Sequence, residues 1–347
     1  MAEAYVSLIT NDKYGDGAIV LGKSLKLTQT TRKLVLMVTN DVSTAKRQEL
    51  SEYWDNIIDI QIMESKDTKN LLLLNRPELK CTLSKLHAWN LTQFTKCVFL
   101  DADVMVLRNV DDLFEYDELS AAPDVGWPDC FNSGVFVFKP SKETFQNLVE
   151  LAANKGSFDG GDQGLLNEYF SDWPRKDIKF HLPFTYNMVA NICYSYSPAY
   201  LRYGKDVKIV HFLGSRKPWD HVFSQVSREA VVSKDLSHLH NFTNMWWEIF
   251  ISSEEKSLKT EVSNLSTTSN LSLSLNQSEL PPLNVENTVD DSDDRRQKWE
   301  AGIPDYTGKD KFENIMKRLN DVMQSTNIAP SDDDALPSDE NNPTSEN

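Results

Sequence analysis

Apolar runs of strand length alternate with amphipathic stretches from the first residues of the chain. Ala4 to Thr10 reads as a strand, the stretch through Leu27 as an amphipathic helix, and Lys33 to Val38 as a second strand; Ser43 to Tyr53 reads as a helix and Asn56 to Ile62 as a third strand. A βαβαβ order predicts an α/β fold with a mostly parallel sheet, helices on both faces and binding loops at the carboxyl ends of the strands. Further on, Lys96 to Leu100 and Ser133 to Phe138 read as strands. A helix is expected from near Ser141 through Asn154 and another over Gln163 to Phe170, and Asp206 to Val210 reads as a short buried strand ending at His211.

The pattern stops after Phe250. No aromatic residue occurs between Phe250 and Trp299, and residues 252–294 are mostly Ser, Thr, Asn and acidic side chains around Pro281-Pro282. Such a stretch buries too little apolar area to offset about 1–2 kcal/mol of backbone entropy per residue, so a disordered linker is expected. Beyond it Phe312, Ile315, Leu319 and Val322 recur at helical spacing. A short lone amphipathic helix is marginal in water, and it is expected to dock on a partner or to pack back on the body. Charge follows the same division. Of the 347 residues, 252–347 hold 20 acidic against 9 basic side chains, a surplus of 11, and 1–251 hold 32 against 27, a surplus of 5.

A net charge of −16 argues against a nucleic-acid partner, because a polyanion is bound by exchanging counterions for Lys and Arg. The N-terminus has neither a basic nor an apolar leader segment, and no window approaches the eighteen or so apolar residues that span a bilayer. A cytoplasmic protein that does not enter membranes is the expectation. Cys81, Cys97, Cys130 and Cys193 are too few and too scattered for a disulfide framework and read as buried, reduced thiols. The loop after the first strand, Asn11-Asp12-Lys13-Tyr14-Gly15-Asp16-Gly17, matches neither a dinucleotide fingerprint nor a P-loop. Tyr14 in it could stack on a base or be an ordinary loop aromatic.

Candidate chemistry begins where Cys97-Val98-Phe99-Leu100 runs into Asp101-Ala102-Asp103. Side chains two apart on an extended chain share a face, so both carboxylates would point at one place. Paired carboxylates repel unless a cation or proton intervenes, which makes Mg²⁺ or Mn²⁺ the natural occupant, although solvated acidic turns give the same motif. His211, ending another strand, would add a nitrogen ligand and favour Mn²⁺; alone it would read as a structural histidine. Asp159-Gly160-Gly161-Asp162-Gln163-Gly164 places two carboxylates at the start of a helix, where Asp162 could meet a hydroxyl-rich ligand or merely cap the helix. Lys217, six residues after His211, could neutralise a phosphate or be a surface charge.

Asp101-Ala102-Asp103, Phe131-Asn132-Ser133-Gly134, Asp159-Gly160-Gly161-Asp162-Gln163-Gly164 and His211-Phe212-Leu213-Gly214 with Lys217-Pro218-Trp219 together resemble glycosyltransferase family 8. Residues 4 to about 220 are most similar to its self-glucosylating members. The resemblance implies a GT-A type, Rossmann-like fold, a UDP-glucose donor, a Mn²⁺ cofactor, a homodimer and retention of the α-configuration. It implies Asp101, Asp103 and His211 as metal ligands. It implies nucleotide-sugar contacts at Leu8, Thr10, Asn11, Tyr14, Arg76, Lys85, Ala102, Asn132, Ser133, Asp159, Asp162, Gln163, Gly214 and Lys217, with Asp159, Asp162 and Lys217 in the catalytic set. Asp162 would be a transient nucleophile or would orient the donor. Cys193-Tyr194-Ser195-Tyr196 resembles the acceptor segment, which makes Tyr194 the glucosylated residue with Tyr196 as the alternative.

The far end resembles, at Trp299-Glu300, Asp305-Tyr306, Gly308, Asp310, Phe312, Asn314-Ile315 and Leu319, the segment through which those members bind glycogen synthase. The implied organisation is a catalytic domain over residues 1–251, a disordered linker over 252–298, a glycogen synthase-binding segment over 299–323 and a disordered acidic tail over 324–347. The growing α-1,4-glucan would be a further partner. The rival readings are a family 8 hexosyltransferase with another donor or a soluble acceptor, a non-catalytic glycogen synthase adaptor, and a phosphohydrolase using Asp101 as nucleophile.

Overall fold

Along strand β1 (Ala2–Ile9) alternate side chains enter two different apolar layers: Tyr5 and Ile9 one, Ala4 and Val6 the other. A strand covered on both faces has no need of polar alternation, which is why its sequence reads as a nearly continuous apolar run. The structure is a computed structural model. It describes residues 2–65, 67, 70, 71, 77–190, 196–224, 226–232 and 239–252, except the side chains at 77–80 and 197. The expectations for Arg76, Cys193 and Tyr194, and those for the linker, binding segment and tail from residue 253 onward, lie outside these residues. The chain divides into two units, Met1–Ser274 and Leu275–Asn347, and every described residue belongs to the first.

β1 lies inside a six-stranded sheet of order β3-β2-β1-β4-β7-β6. Its members are β2 (Lys33–Val38), β3 (Asn56–Asp59), β4 (Phe94–Leu100), β6 (Ser120–Pro123) and β7 (Phe131–Phe138). The pairings β3–β2, β2–β1 and β1–β4 are parallel, and β4–β7 and β7–β6 are antiparallel. The expected mostly parallel α/β sheet is therefore present, with an antiparallel flank that places the start of β7 beside the end of β4.

One face of the sheet is covered by helix α1 (Gly15–Leu27) through Ile19, Leu21 and Leu25. The other face packs on Trp89, on Leu148 of α3 (Lys142–Asn154) and on Leu165 and Leu166 of α4 (Asp162–Tyr169). Ser141 caps α3 by accepting the Thr144 N–H at 3.2 Å, which explains where that helix begins. Helix α2 (Thr44–Leu50) stops three residues short of the expected Tyr53, as the Glu52 and Tyr53 N–H groups close tighter turns on the carbonyls three residues back, Glu49 and Leu50. The buried strand expected over Asp206 to Val210 is shifted: Gly204–Asp206 is a 3₁₀ turn and β9 spans Ile209–His211.

β9 belongs to a second sheet of order β5-β9-β8, with β5 (Val104–Val106) and β8 (Met188–Val189). A hairpin, β10 (Val222–Ser224) with β11 (Glu229–Val231), and α5 (Ser197–Tyr203) lead to α6 (His240–Ile251). Phe242, Trp246 and Ile249 of α6 bury against Val20, Met105, Val210 and Phe212, and full burial of a Phe or Ile stabilises by roughly 1.5–3 kcal/mol. Lys23 of α1 crosses to the carboxyl end of α6 and donates to the carbonyls of Ile249, Phe250 and Ser252 at 3.4, 2.7 and 3.0 Å. These are groups a helix terminus leaves unpaired, and a cation suits that end of the helix dipole. Burial pulls the Lys23 ammonium below the usual lysine value.

No disulfide joins the described cysteines; Cys97 is fully buried, whereas Cys81 and Cys130 are half-exposed, so the expectation of buried thiols holds for only one of the three. Among the described residues no helix is long and apolar enough to cross a membrane.

Candidate active site

Parallel neighbours β1 and β4 end at the same edge of the sheet, and antiparallel β7 begins there. The segments after Ile9, after Leu100 and around Asn132-Ser133 therefore converge. Asp101-Ala102-Asp103 is a tight turn and not an extended strand end: the Val104 N–H donates to the Asp101 carbonyl at 3.1 Å, and the Asp101 N–H donates to Gly134 on β7 at 2.9 Å. The two carboxylates share a side because of the turn, not because of strand pleat. His211 on β9 lies opposite Val104 of β5, and the Phe212 N–H donates to the Asp103 carbonyl at 2.9 Å. Each of Asp101, Asp103 and His211 thus offers a ligand atom within 4.8 Å of the other two.

Two buried lysines hold the carboxylates. Lys217, 3% exposed, donates from Nζ to Asp103 Oδ2 at 2.5 Å and to the Phe212 carbonyl at 2.9 Å. Lys85 lies between Asp101 Oδ1 at 3.0 Å and Asp162 Oδ2 at 2.5 Å, donates to the Ser133 carbonyl at 3.1 Å, and sits 4.8 Å from the centre of the Phe99 ring. Burial alone would depress the Lys85 ammonium, but Asp101 and then Asp162 outweigh it and raise its pKa. Burial pushes the Asp101 carboxyl up against the pull of Lys85. For Asp103 burial acts in the same direction, yet Lys217 and then His211 overcome it and hold that carboxyl far below the usual range. The turn thus carries two carboxylates that the surroundings push in opposite directions, Asp101 up and Asp103 down.

Asp162, the first residue of α4, does not cap its helix; its Oδ2 accepts from Ser133 Oγ at 2.8 Å as well as from Lys85. Gln163 Oε1 accepts from Asn132 Nδ2 at 3.1 Å and from the Ser133 N–H at 3.2 Å, and Gln163 Nε2 donates to Asp124 Oδ2 at 3.2 Å. Asp159 is turned into its own loop, where Oδ1 accepts from Ser157 Oγ at 2.7 Å and the Gly161 N–H at 2.8 Å; burial raises its pKa.

Tyr14 packs edge-on against Trp219, ring centres 5.4 Å apart, two residues from Lys217. Leu8, Thr10 and Asn11 lie at the carboxyl end of β1, where Asn11 Oδ1 accepts from the Lys13 N–H at 3.1 Å. Ala102 is buried in the acidic turn, and Gly214 turns between His211 and Lys217 with φ +119°, a conformation that favours glycine. Tyr196 is exposed just before α5. Arg76 and Tyr194 lie outside the described residues.

Three participants are not among the sequence candidates. Asn187, 2% exposed, contacts His211 Nδ1 through Oδ1 at 2.9 Å and Asn132 Oδ1 through Nδ2 at 2.8 Å. Asp124 holds both Asn132 and Gln163. Gly17 brings α1 against the acidic turn. Asn187 falls in an irregular stretch between a 3₁₀ turn and a two-residue strand, where no period singles it out.

The sequence profile described as glycosyl transferase family 8 matches residues 5–120 and 116–222. Glycogenin-1 of Mus musculus is 46% identical over 331 residues, covering 93% of this chain and 99% of that protein. Glycogenin-1 of Caenorhabditis elegans is 53% identical over 219 residues, covering 63% of this chain and 51% of that protein. Among solved structures, the apo-form glycosyltransferase GlyE of Streptococcus pneumoniae TIGR4 matches with a TM-score of 0.51 at 20% identity, covering 78% of this chain and 64% of that one. The galactosyltransferase LgtC in complex with donor and acceptor sugar analogs matches with 0.50 at 18%, covering 73% and 98%. The fold is shared with these enzymes, and by its near-complete alignment the chain belongs to glycosyl transferase family 8 and, within it, to the glycogenins.

Proposed function

We propose that this glycosyltransferase primes glucan synthesis on itself: it takes glucose from UDP-glucose, attaches it with retention to Tyr194, and extends it as an α-1,4-glucan. The observation that carries this reading is the set of half-buried Asp101 with buried Asp103 and His211, with Lys217 and Lys85 fastened to its carboxylates. Two carboxylates and one imidazole fit a divalent cation that prefers oxygen and accepts one nitrogen, as Mn²⁺ does. When bound, such an ion supplies charge stabilisation at the donor's pyrophosphate.

The remaining roles fall to the chain's own side chains. Lys217, already placed against Asp103, would neutralise charge growing on the departing phosphate, the term that dominates when a leaving group carries charge away. Asp162 would accept from sugar hydroxyls while Lys85 and Ser133 keep its carboxylate in one orientation. Asn132, Ser133, Gln163 and Asp159 would line the sugar, and Leu8, Thr10, Asn11, Tyr14, Arg76, Ala102 and Gly214 the nucleotide. Pairing of Asp162 with Lys85 favours an orienting carboxylate over a free nucleophile. The reading includes a homodimer, a catalytic domain over 1–251, a linker over 252–298, recruitment of glycogen synthase through 299–323, an acidic tail over 324–347 and work in the cytoplasm. Similarity to glycogenin-1 over 93% of this chain and 99% of that protein supports it.

Intact-mass analysis after incubation with UDP-glucose and Mn²⁺ tests it. A ladder of hexose increments on the protein, with the first hexose on the peptide carrying Tyr194 and Tyr196, is the expected result. No increment, or a ladder only with UDP-galactose or on an added soluble acceptor, overturns it.

A further inference from the structure

A chain of hydrogen bonds whose directions cannot be exchanged ends on His211. The Gly134 backbone N–H donates to Asn132 Oδ1 at 3.0 Å, and a backbone N–H cannot accept, so the atom it meets is the amide oxygen. The other end of that amide, Nδ2, faces the Asp124 carboxylate at 3.0 Å, which can only accept when ionised. Asn187 stands 2.8 Å from Asn132 Oδ1 and must present its NH₂ there, which turns its own oxygen to His211 Nδ1 at 2.9 Å. An amide oxygen accepts only. The neutral imidazole therefore carries its proton on Nδ1, and its lone pair is on Nε2, the nitrogen that lies 3.4 Å from Asp103 Oδ1.

The geometry points to Asn187 as the positioning residue that makes His211 a metal ligand. The other end of the same amide ties that ligand to Asn132 and so to the Gln163 side of the site. The ring has little freedom to find another arrangement, because Gly134 packs on it so closely that a Cβ there would stand 2.4 Å from His211 Cε1. A partner on the far ring nitrogen of a ligating histidine fixes both tautomer and orientation. The inference rests on the reading of Asp101, Asp103 and His211 as a Mn²⁺ site.

The test is Mn²⁺ titration of the full-length protein without sugar nucleotide, following loss of the free-ion electron paramagnetic resonance signal. Asn187→Leu, which removes the acceptor, should weaken Mn²⁺ binding by about 10–100-fold, the range found when a histidine ligand loses its outer partner. Asn187→Asp keeps an acceptor on His211 Nδ1 and should retain most of the Mn²⁺ affinity that Asn187→Leu loses, while its second oxygen, set against the Asn132 oxygen it cannot donate to, displaces Asn132 and raises KM for UDP-glucose. Melting curves establish that each variant is folded. Should Asn187→Leu fail to fold, Asn187→Ser, too short to reach the ring, carries the same comparison. If the parent binds Mn²⁺ and the folded acceptor-less variant binds it equally, or if Asn187→Asp is weakened as much as Asn187→Leu, the role of Asn187 falls alone. If the parent binds none, the metal reading falls with it.

Discussion

The Ala102 carbonyl oxygen stands 2.4 Å from where a side chain at Gly17 would begin, and the Trp219 ring 2.6 Å from the same point. The first turn of α1 is therefore pressed onto the acidic turn and onto the ring that packs Tyr14. Gly17→Ala must displace both. Overpacking of this kind costs about 1–3 kcal/mol, a fall in melting temperature on the order of 5 °C. Because the displaced carbonyl belongs to the turn that holds both carboxylates, Mn²⁺ affinity should fall too, and a titration on the folded variant checks it.

Asp103 is the sole carboxylate that the Lys217 ammonium meets among the described residues. Asp103→Ala should abolish transfer, a loss of at least about 10²–10³-fold, as for removal of one preorganised electrostatic group. It should also destabilise the protein, since stranding a buried charge costs about 3–5 kcal/mol. Adding Lys217→Met removes the stranded ammonium. The double variant should regain much of the lost stability in denaturant melts while staying inactive; substantial Mn²⁺-dependent transfer in Asp103→Ala would contradict the assignment.

Lys85 and Lys217 balance two of the three carboxylates of Asp101, Asp103 and Asp162, so the protein should fold without a divalent ion. Chelation is expected to lower the melting temperature only slightly. In Lys85→Met, Asp101 and Asp162 lose their common partner. Melting should drop further, and Mn²⁺ should raise it more than in the parent, because binding to the folded state alone adds about 2.7 kcal/mol at a hundredfold excess over Kd. Equal Mn²⁺ stabilisation of both proteins would refute the charge balance.

His87 donates from Nε2 to the Gln61 carbonyl at 2.9 Å and leans on Phe145. Burial lowers its pKa, opposed by that hydrogen bond. The unfolded chain then takes up a proton first as pH falls below about 6.5, and stability rises with pH wherever the unfolded state binds more protons. The contribution is complete above that value and declines as pH drops toward the folded pKa. His87→Gln should flatten the dependence of unfolding free energy between pH 7.5 and 5.5 relative to the parent (a window set about the unperturbed histidine value), and an unchanged slope would contradict it.

The α/β sheet was legible because β1, β2 and β4 are buried on both faces and long enough to leave apolar runs. Strands of two or three residues, such as β5 and β8, leave no period to read; β9, read a few residues too early from the apolar run before His211, is the one short strand the sequence offered, and pairing with β5 brings His211 to Asp103. The acidic pair was found through a pleat argument that the structure replaces with a turn. Asp162 was weighed as a helix cap, and its actual partners, Lys85 and Ser133, come from segments far away in sequence. Asn187 was invisible for the same reason, since its chemistry depends on what the fold lays beside it.

Lys23 grips the last carbonyls of α6 from the middle of α1, six residues beyond Gly17. At 1.5 Å per residue that is a rod of roughly 9 Å between the carboxyl end of α6 and the acidic turn. The carboxyl end of α6 is therefore held by the same helix that presses on the acidic turn, so a shift at one end of α1 is felt at the other.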